Sequence, residues 1–289
     1  MEYAIAVKTD VGRERSTNQD SLYVRTASWN GQNYAFAVIC DGMGGLSDGD
    51  MASRTVAEAM SSWFENGFAD WLNDGGREST LCGIWTEVLN RCNARLIQYG
   101  REKGIELGTT VTALLLGPER YVIVHIGDTR AYEIGGVIRQ LTRDHTLATR
   151  MVESGVISRA EARKVPENHV LTRCIGVGES IDPAFYFGAT APDAVYLLCS
   201  DGFRNQFEEK ELREAFDPAV CLDAAALVKA CEDWIKVSLE RREDDNISAV
   251  VIRTIPTMEP VKPRRDLDMT IVPEDTKPKR PLDDTVNLE

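Results

Sequence analysis

The chain has 289 residues, 43% of them hydrophobic, enough to bury one good-sized core. Lys and Arg number 33 against 46 Asp and Glu, a formal net charge of −13, which argues against a nucleic-acid or anionic-membrane surface because phosphates would be repelled. An acidic protein that handles phosphate must bring its own cations.

Taken in chain order, Tyr3–Thr9, Ser21–Thr26 and Tyr34–Cys40 are short apolar or alternating runs separated by Gly, Asn and Asp, and they read as strands of an antiparallel meander. The period then changes to three and four. Ser47–Leu72 and Ser79–Lys103, the second with Ile84, Val88, Leu89, Cys92 and Leu96 on one stripe, predict two long amphipathic helices.

Val111–Leu116 and Tyr121–Ile126 return to strand character around a Gly117-Pro118 turn, with shorter strands at Ala131–Ile134 and Val137–Leu141. Short helices are expected at Met151–Gly155 and Ser158–Lys164, the latter opened by a Ser158/Glu161 capping box. Strands at Phe185–Gly188 and Val195–Cys199, an amphipathic helix over Leu222–Leu239 and a last strand at Ile247–Arg253 complete the series. Each amphipathic helix must bury its stripe on a sheet, so an α+β layered domain is expected, consistent with a four-layer α-β-β-α sandwich.

After Arg253 the composition turns rich in Pro and charge, which predicts a folded domain over 1–254 and a disordered tail over 255–289. The tail carries a repeat in which Thr270 and Thr285 each follow Leu-Asp-x. These two threonines are candidate phosphosites for a partner kinase and candidate docking points for a phosphothreonine-reading module such as a forkhead-associated domain; a merely solubilising tail is the other reading. Seven cysteines, odd in number and without a Cys-x-x-Cys pair, are expected to be free buried thiols. With no leader sequence and no window near ~18 uncharged apolar residues, a cytoplasmic protein without membrane contact is expected, and a monomer.

The informative feature is where the aspartates fall. Asp20 precedes a strand, Asp41 follows Tyr34–Cys40, Asp128 follows Val122–Gly127, Asp201 follows Val195–Ser200 and Asp245 precedes Ile247. Singly, each is an ordinary turn former, as in the Asp-Gly pairs at 41–42 and 201–202. Aligned in neighbouring strands, the five would converge at one edge of the sheets. Crowded carboxylates raise one another's pKa unless a cation compensates them. All-oxygen ligation suits Mg²⁺ or Mn²⁺, which keep waters that can be activated as nucleophiles.

The motifs Thr9–Ser21, Asp41-Gly42-Met43-Gly44-Gly45, Gly108-Thr109-Thr110, Ile126–Tyr132, Leu141–His145, Val170–Gly176, Cys199–Phe203 and Asp244-Asp245-Asn246 occur in an order that resembles the metal-dependent, type 2C protein phosphatases in their compact bacterial form. The resemblance covers roughly residues 3 to 254. It implies two antiparallel sheets flanked by helical pairs, and a serine/threonine protein phosphatase that opposes a partner Ser/Thr kinase, with phosphorylated proteins as substrates. It further implies that Asp41 bridges two central Mn²⁺ or Mg²⁺ ions with the Gly42 carbonyl as a further ligand, and that Asp201 and Asp245 hold one of them. Arg15 would grip the substrate phosphate, Asp128 with Asp201 would hold a third, weaker ion, and Asp20 would support the shell.

Two positions depart from the family pattern. Gln19 stands where many members have Glu, which removes one negative charge, and Met43 stands where animal members have a His proposed as general acid. His145 is expected to be a packing or surface residue, and His125 and His169 carry no assignment. No cysteine has Arg six positions on, so a cysteine-based phosphatase is excluded, and the glycines after Asp41 lack the Lys-Ser/Thr of a Walker loop. The alternatives are a pseudophosphatase that serves as an interaction module, kept open by Gln19, and a hydrolase of small phosphoesters.

Overall fold

A computed structural model describes residues 1–44, 48–162 and 164–257; the tail repeats with Thr270 and Thr285 lie outside the described residues. Met1–Thr257 forms one compact unit. In chain order it comprises β1 (Glu2–Asp10), β2 (Asp20–Trp29), β3 (Gln32–Gly44), α1 (Asp48–Asn66), α2 (Phe68–Asn73), α3 (Glu78–Lys103), β4 (Leu107–Thr109), β5 (Val111–Leu116) and β6 (Arg120–Ile126). Then follow β7 (Arg130–Ile134), β8 (Ile138–Gln140), α4 (Leu147–Glu153), α5 (Arg159–Ala162), a 3₁₀ turn (Pro166–His169), β9 (Ala184–Ala189), β10 (Val195–Cys199), α6 (Asp201–Arg204), α7 (Glu209–Ala215), α8 (Ala224–Glu240) and β11 (Ile247–Ile255).

The strands form two antiparallel sheets, one ordered β1-β11-β10-β7-β8 and the other β2-β3-β5-β6-β9, with β4 added to the end of β3. The alternation of side chains along each strand divides the interior into three cores. Phe36, Val38 and Cys40 of β3, with Val111, Ala113, Val122 and Val124, face the stripes of α1 (Val56, Met60, Trp63) and α3 (Leu81, Trp85, Leu89, Leu96). The intervening residues Ala35, Ala37, Ile39, Leu114 and Ile123 face the other sheet, where they meet Tyr196, Leu198, Val250 and Ile252. On the far side Leu197, Cys199, Ala249 and Val251 pack against Phe203, Leu212, Phe216, Leu227, Cys231 and Trp234 of α6 to α8. The expected α-β-β-α sandwich is therefore present, and each face buries apolar area worth ~25 cal/mol per Å².

The opening meander is corrected. β2 pairs with β3 in the register Asp20↔Asp41, but β1 lies in the other sheet, paired along its whole length with β11. Alternation specifies which face a strand buries, not which strand it joins. The helix expected over Ser47–Leu72 is also broken: Gly67, a poor helix former beside the Trp63 indole, separates α1 from α2.

Candidate metal centre

The carboxylates meet where the two sheets present the same ends. The register that places Asp20 opposite Asp41 brings these two carboxylates onto neighbouring strands. Asp41 is anchored through its backbone: its N–H donates to Thr110 Oγ1 at 2.9 Å, and its carbonyl accepts from the Thr110 N–H and the Thr109 hydroxyl, each at 2.9 Å. β3 does not end at Asp41 but runs on to Gly44, held there by β4. Gly42 is required at its position because a Cβ would lie 2.0 Å from the Gly49 carbonyl oxygen of α1; only glycine lets strand and helix backbones come this close.

From the other sheet, Asp245 stands just before β11 and Asp201 opens α6, directly after β10. Asn246 stitches the Arg15 loop to this edge: its Oδ1 accepts from the Gln19 N–H at 2.8 Å, and its Nδ2 donates to the carbonyls of Val11 at 2.8 Å and Thr17 at 3.2 Å. Gly12, at φ +78°, fits against the Asp245 carbonyl, where a Cβ would sit 2.2 Å away. Arg15 Nη2 in turn donates to Asp245 Oδ2 at 2.8 Å. Asp128 lies in the turn between β6 and β7, and the Arg204 Nη2 donates to its carbonyl oxygen at 3.1 Å.

The electrostatics record the crowding. Burial pushes the Asp41 carboxyl well above the ordinary carboxylate range, with the charges of Asp20, Asp201, Asp128 and Asp245 adding to the rise. Burial also carries Asp20 up to about 7, opposed by the Ser248 and Ser200 hydroxyls and reinforced by Asp201 and Asp245. Asp128 rises to about 7 for the same first reason, with Asp201 adding and Arg204 opposing. Asp201 goes the other way: burial would raise it, but the neighbouring His169 imidazole, 3.6 Å from its Oδ2, and Arg204 bring it below the ordinary range.

Both carboxylate oxygens of Asp20 and Oδ1 of Asp201 are buried without a hydrogen-bond partner. Orphaned anionic oxygens in an all-aspartate set fit a hard, oxygen-seeking cation. Among the described residues no three His, Cys, Asp or Glu side chains close into a ready cage; Asp245 is turned to Arg15 and Asp201 faces His169. The described structure thus brings Asp20, Asp41, Asp128, Asp201 and Asp245 together with Arg15, Gln19 and Gly42 at one edge.

His145 packs inside the fold as expected, and His125, which carried no assignment, lies beside it. Burial lowers His125 to about 3 and His145 to about 4. Their rings lie 4.8 Å apart, His125 Nε2 is 3.1 Å from the Arg143 carbonyl, and His145 Nδ1 accepts from the Gly127 N–H at 3.2 Å. Sequence reasoning missed two residues of the site, His169 and Arg204. Arg204 follows Asp201 by one helical turn, a spacing that places both on one face of α6. His169 stands on a 3₁₀ turn and has no periodic signal at all. Both line a polar cavity of about 610 Å³ beside the carboxylates, together with Arg130, Asn205, Glu243 and Asp244.

Residues 11–240 match the family described as protein phosphatase 2C. The serine/threonine phosphatase stp of Listeria monocytogenes is 27% identical over 256 residues, covering 85% of this chain and 93% of that protein. Among solved structures, the Mycobacterium tuberculosis serine/threonine phosphatase PstP/Ppp superposes with a TM-score of 0.73 at 26% identity, covering 88% of this chain and 99% of that one. The catalytic domain of the serine threonine protein phosphatase PstP in complex with two manganese ions gives a TM-score of 0.71 at 25% identity, with 88% and 99% covered.

Proposed function

Since the chain belongs to the protein phosphatase 2C family, we propose that the aspartate cluster around Asp41 is the seat of its activity as a metal-dependent serine/threonine protein phosphatase of the bacterial kind. The observation that carries the reading is that Asp41, opposite Asp20 on the neighbouring strand, stands at the edge to which the other sheet brings Asp201, after β10, and Asp245, before β11. Asp41, the Gly42 carbonyl, Asp201 and Asp245 would hold two central ions, with Asp20 in support and Gln19 beside them. Asp128 with Asp201 would hold a third, weaker one. Mn²⁺ or Mg²⁺ suits the donor set, and when bound such ions supply a water of lowered pKa and electrostatic stabilisation of the transferring phosphoryl group.

The chain's own residues do the rest. Arg15, half exposed on its loop and held by Asp245, presents a fork that matches two phosphate oxygens. On substrate binding Arg15 would exchange Asp245 for the phosphate, and Asp245 would then be one of the residues free to hold a cation. Asn246, by tying Val11, Thr17 and Gln19 together, fixes where the guanidinium can reach. The Thr109 and Thr110 contacts fix Asp41. Met43 has no proton to give, and His145 is kept neutral inside the fold, so neither protonates the leaving alkoxide.

The substrates in this reading are phosphoserine and phosphothreonine proteins of a partner Ser/Thr kinase in the cytoplasm, met by a monomeric enzyme. Among the described residues no helix is long and apolar enough to cross a membrane. Phosphorylation of Thr270 and Thr285 would recruit a forkhead-associated module; mass spectrometry that never finds either site modified in native cells would remove that part.

Hydrolysis of a phosphothreonine peptide with Mn²⁺ or Mg²⁺, with EDTA, and by Asp41→Ala and Asp245→Ala proteins tests the whole. Metal-dependent turnover lost in both variants is expected. No turnover by folded wild type across metals and peptides would leave the interaction-module reading.

A further inference from the structure

The Asp128–Asp201 pair differs from the central cluster in having a fixed positive charge built against it. Arg204 is 8% exposed. Besides its hydrogen bond to the Asp128 carbonyl at 3.1 Å, its Nη2 lies 4.0 Å from Asp128 Oδ2 and 3.7 Å from Asp144 Oδ2. Asp144 already has a closer partner: Arg130 donates to it from Nε at 2.8 and 3.1 Å and from Nη2 at 2.6 Å. Two guanidinium groups and three carboxylates, Asp128, Asp144 and Asp201, therefore make up the outer side of the centre, with the His169 imidazole 3.6 Å from Asp201 Oδ2 beside them. Arg15, the cation near the central carboxylates, is half exposed on a loop and can move away. Arg204 is enclosed on α6, one turn from Asp201, and cannot.

We propose that Arg204 is a permanent counter-charge beside the Asp128–Asp201 pair that weakens the outer cation site of this chain. This rests on the reading of Asp128 and Asp201 as the outer ligands. A divalent ion entering there would have to share two carboxylates with a guanidinium that is already inside the fold, and like charges held close together with little solvent exposure repel strongly. The arrangement also orients the pair, since the Asp128 loop is tied to α6 through the same guanidinium. Orientation and repulsion predict opposite consequences of removing it, which makes them separable.

Mn²⁺ binding to the full chain, followed by the free-ion electron paramagnetic resonance signal, reads this without recourse to turnover. Arg204→Met is expected to tighten a weak, Asp128-dependent site by about tenfold or more and to leave the tight sites within about twofold, while Arg204→Lys, which keeps the charge, stays close to wild type. Asp144→Asn, which frees Arg204 to act on Asp128 alone, is expected to loosen the weak site further, and it carries the test if Arg204→Met does not fold. A weak site unchanged or loosened in folded Arg204→Met, or unchanged in Asp144→Asn, overturns the proposal. If Asp128→Ala removes no binding from wild type or from Arg204→Met, the ligand assignment itself falls, and the proposal with it.

Discussion

Arg15 and Asp245, 230 positions apart in the chain, are joined by a 2.8 Å bond from Nη2 to Oδ2 across the edge where the two sheets meet. The pair links the residue proposed to grip the substrate phosphate to one proposed to hold a cation. Half-exposed ion pairs of this kind contribute little to stability, typically under ~1 kcal/mol, and their function has to be read from the exchange. Arg15→Ala should lower kcat/KM for a phosphothreonine peptide about a hundredfold with little change in melting temperature, and Arg15→Lys should recover only part. Steady-state kinetics with thermal melts checks this; a melting temperature that collapses together with activity would make Arg15 structural instead.

The buried carboxylates give a pH dependence with a definite sign. Asp20 and Asp128 are raised from an ordinary value of 3.8 to about 7 in the fold. A raised acid favours the folded state while protonated, so its stabilising contribution is present below about pH 4 and is lost as pH climbs towards 7. In EDTA the protein should therefore melt lower at pH 8 than at pH 5.5, and Asp20→Asn should remove part of that difference, about 1–3 kcal/mol. Mn²⁺ binding should release protons near pH 6, and calorimetry in buffers of different ionisation enthalpy measures it. An EDTA-treated protein whose melting temperature is flat between these pH values contradicts the argument.

Gly42 carries a sharper structural prediction. A methyl group there would sit 2.0 Å from the Gly49 carbonyl oxygen and 2.7 Å from that of Gln19, both backbone atoms, so either α1 or the start of β2 must move. Gly42→Ala should cost about 3 kcal/mol or more and weaken Mn²⁺ binding along with it, because the displaced segments adjoin Asp20 and Asp41. Urea unfolding in EDTA isolates the stability part; a loss below about 1 kcal/mol would show that the close approach relaxes easily.

How far the sequence could be read follows from which interactions are local. Val111–Leu116 and Val195–Cys199 have the predicted bounds, since each is a continuous apolar run closed by turn residues. Asp128, Asp201 and Asp245, each just outside a buried strand, were legible for the same reason, whereas Asp41 lies inside β3, which runs on to Gly44. Whether the edges coincide depends on pairing, and the pairing of β1 with β11 joins residues 253 positions apart at Glu2↔Ile255, which no local pattern encodes. Arg204 and His169 escaped for a related reason. A charged residue on a four-residue helix and an imidazole in a loop look solvated in one dimension, and only the fold places them against Asp128 and Asp201.

Gln19 is the residue where composition of the site and chemistry of the site can be separated. Its backbone is fixed at both ends, by the N–H to Asn246 Oδ1 at 2.8 Å and by the carbonyl that accepts from Gly42 at 3.1 Å, and its side chain is buried against Gly49. Glu has the same shape, so Gln19→Glu adds one charge beside Asp20 without adding volume. Alone, that charge joins carboxylates that already oppose one another, and the melting temperature in EDTA at pH 8 should fall. With Mn²⁺ present the same charge becomes an attraction, and affinity for the central ions should rise about tenfold. The gap between the melting temperatures with and without Mn²⁺ should widen accordingly, because binding to the folded state alone stabilises it by mass action. Paired melts and a Mn²⁺ titration measure both halves: a variant indistinguishable from wild type in each would mean that residue 19 is too far from the ions to matter, whereas a fall in EDTA with no gain in Mn²⁺ would mean that its charge is buried away from them.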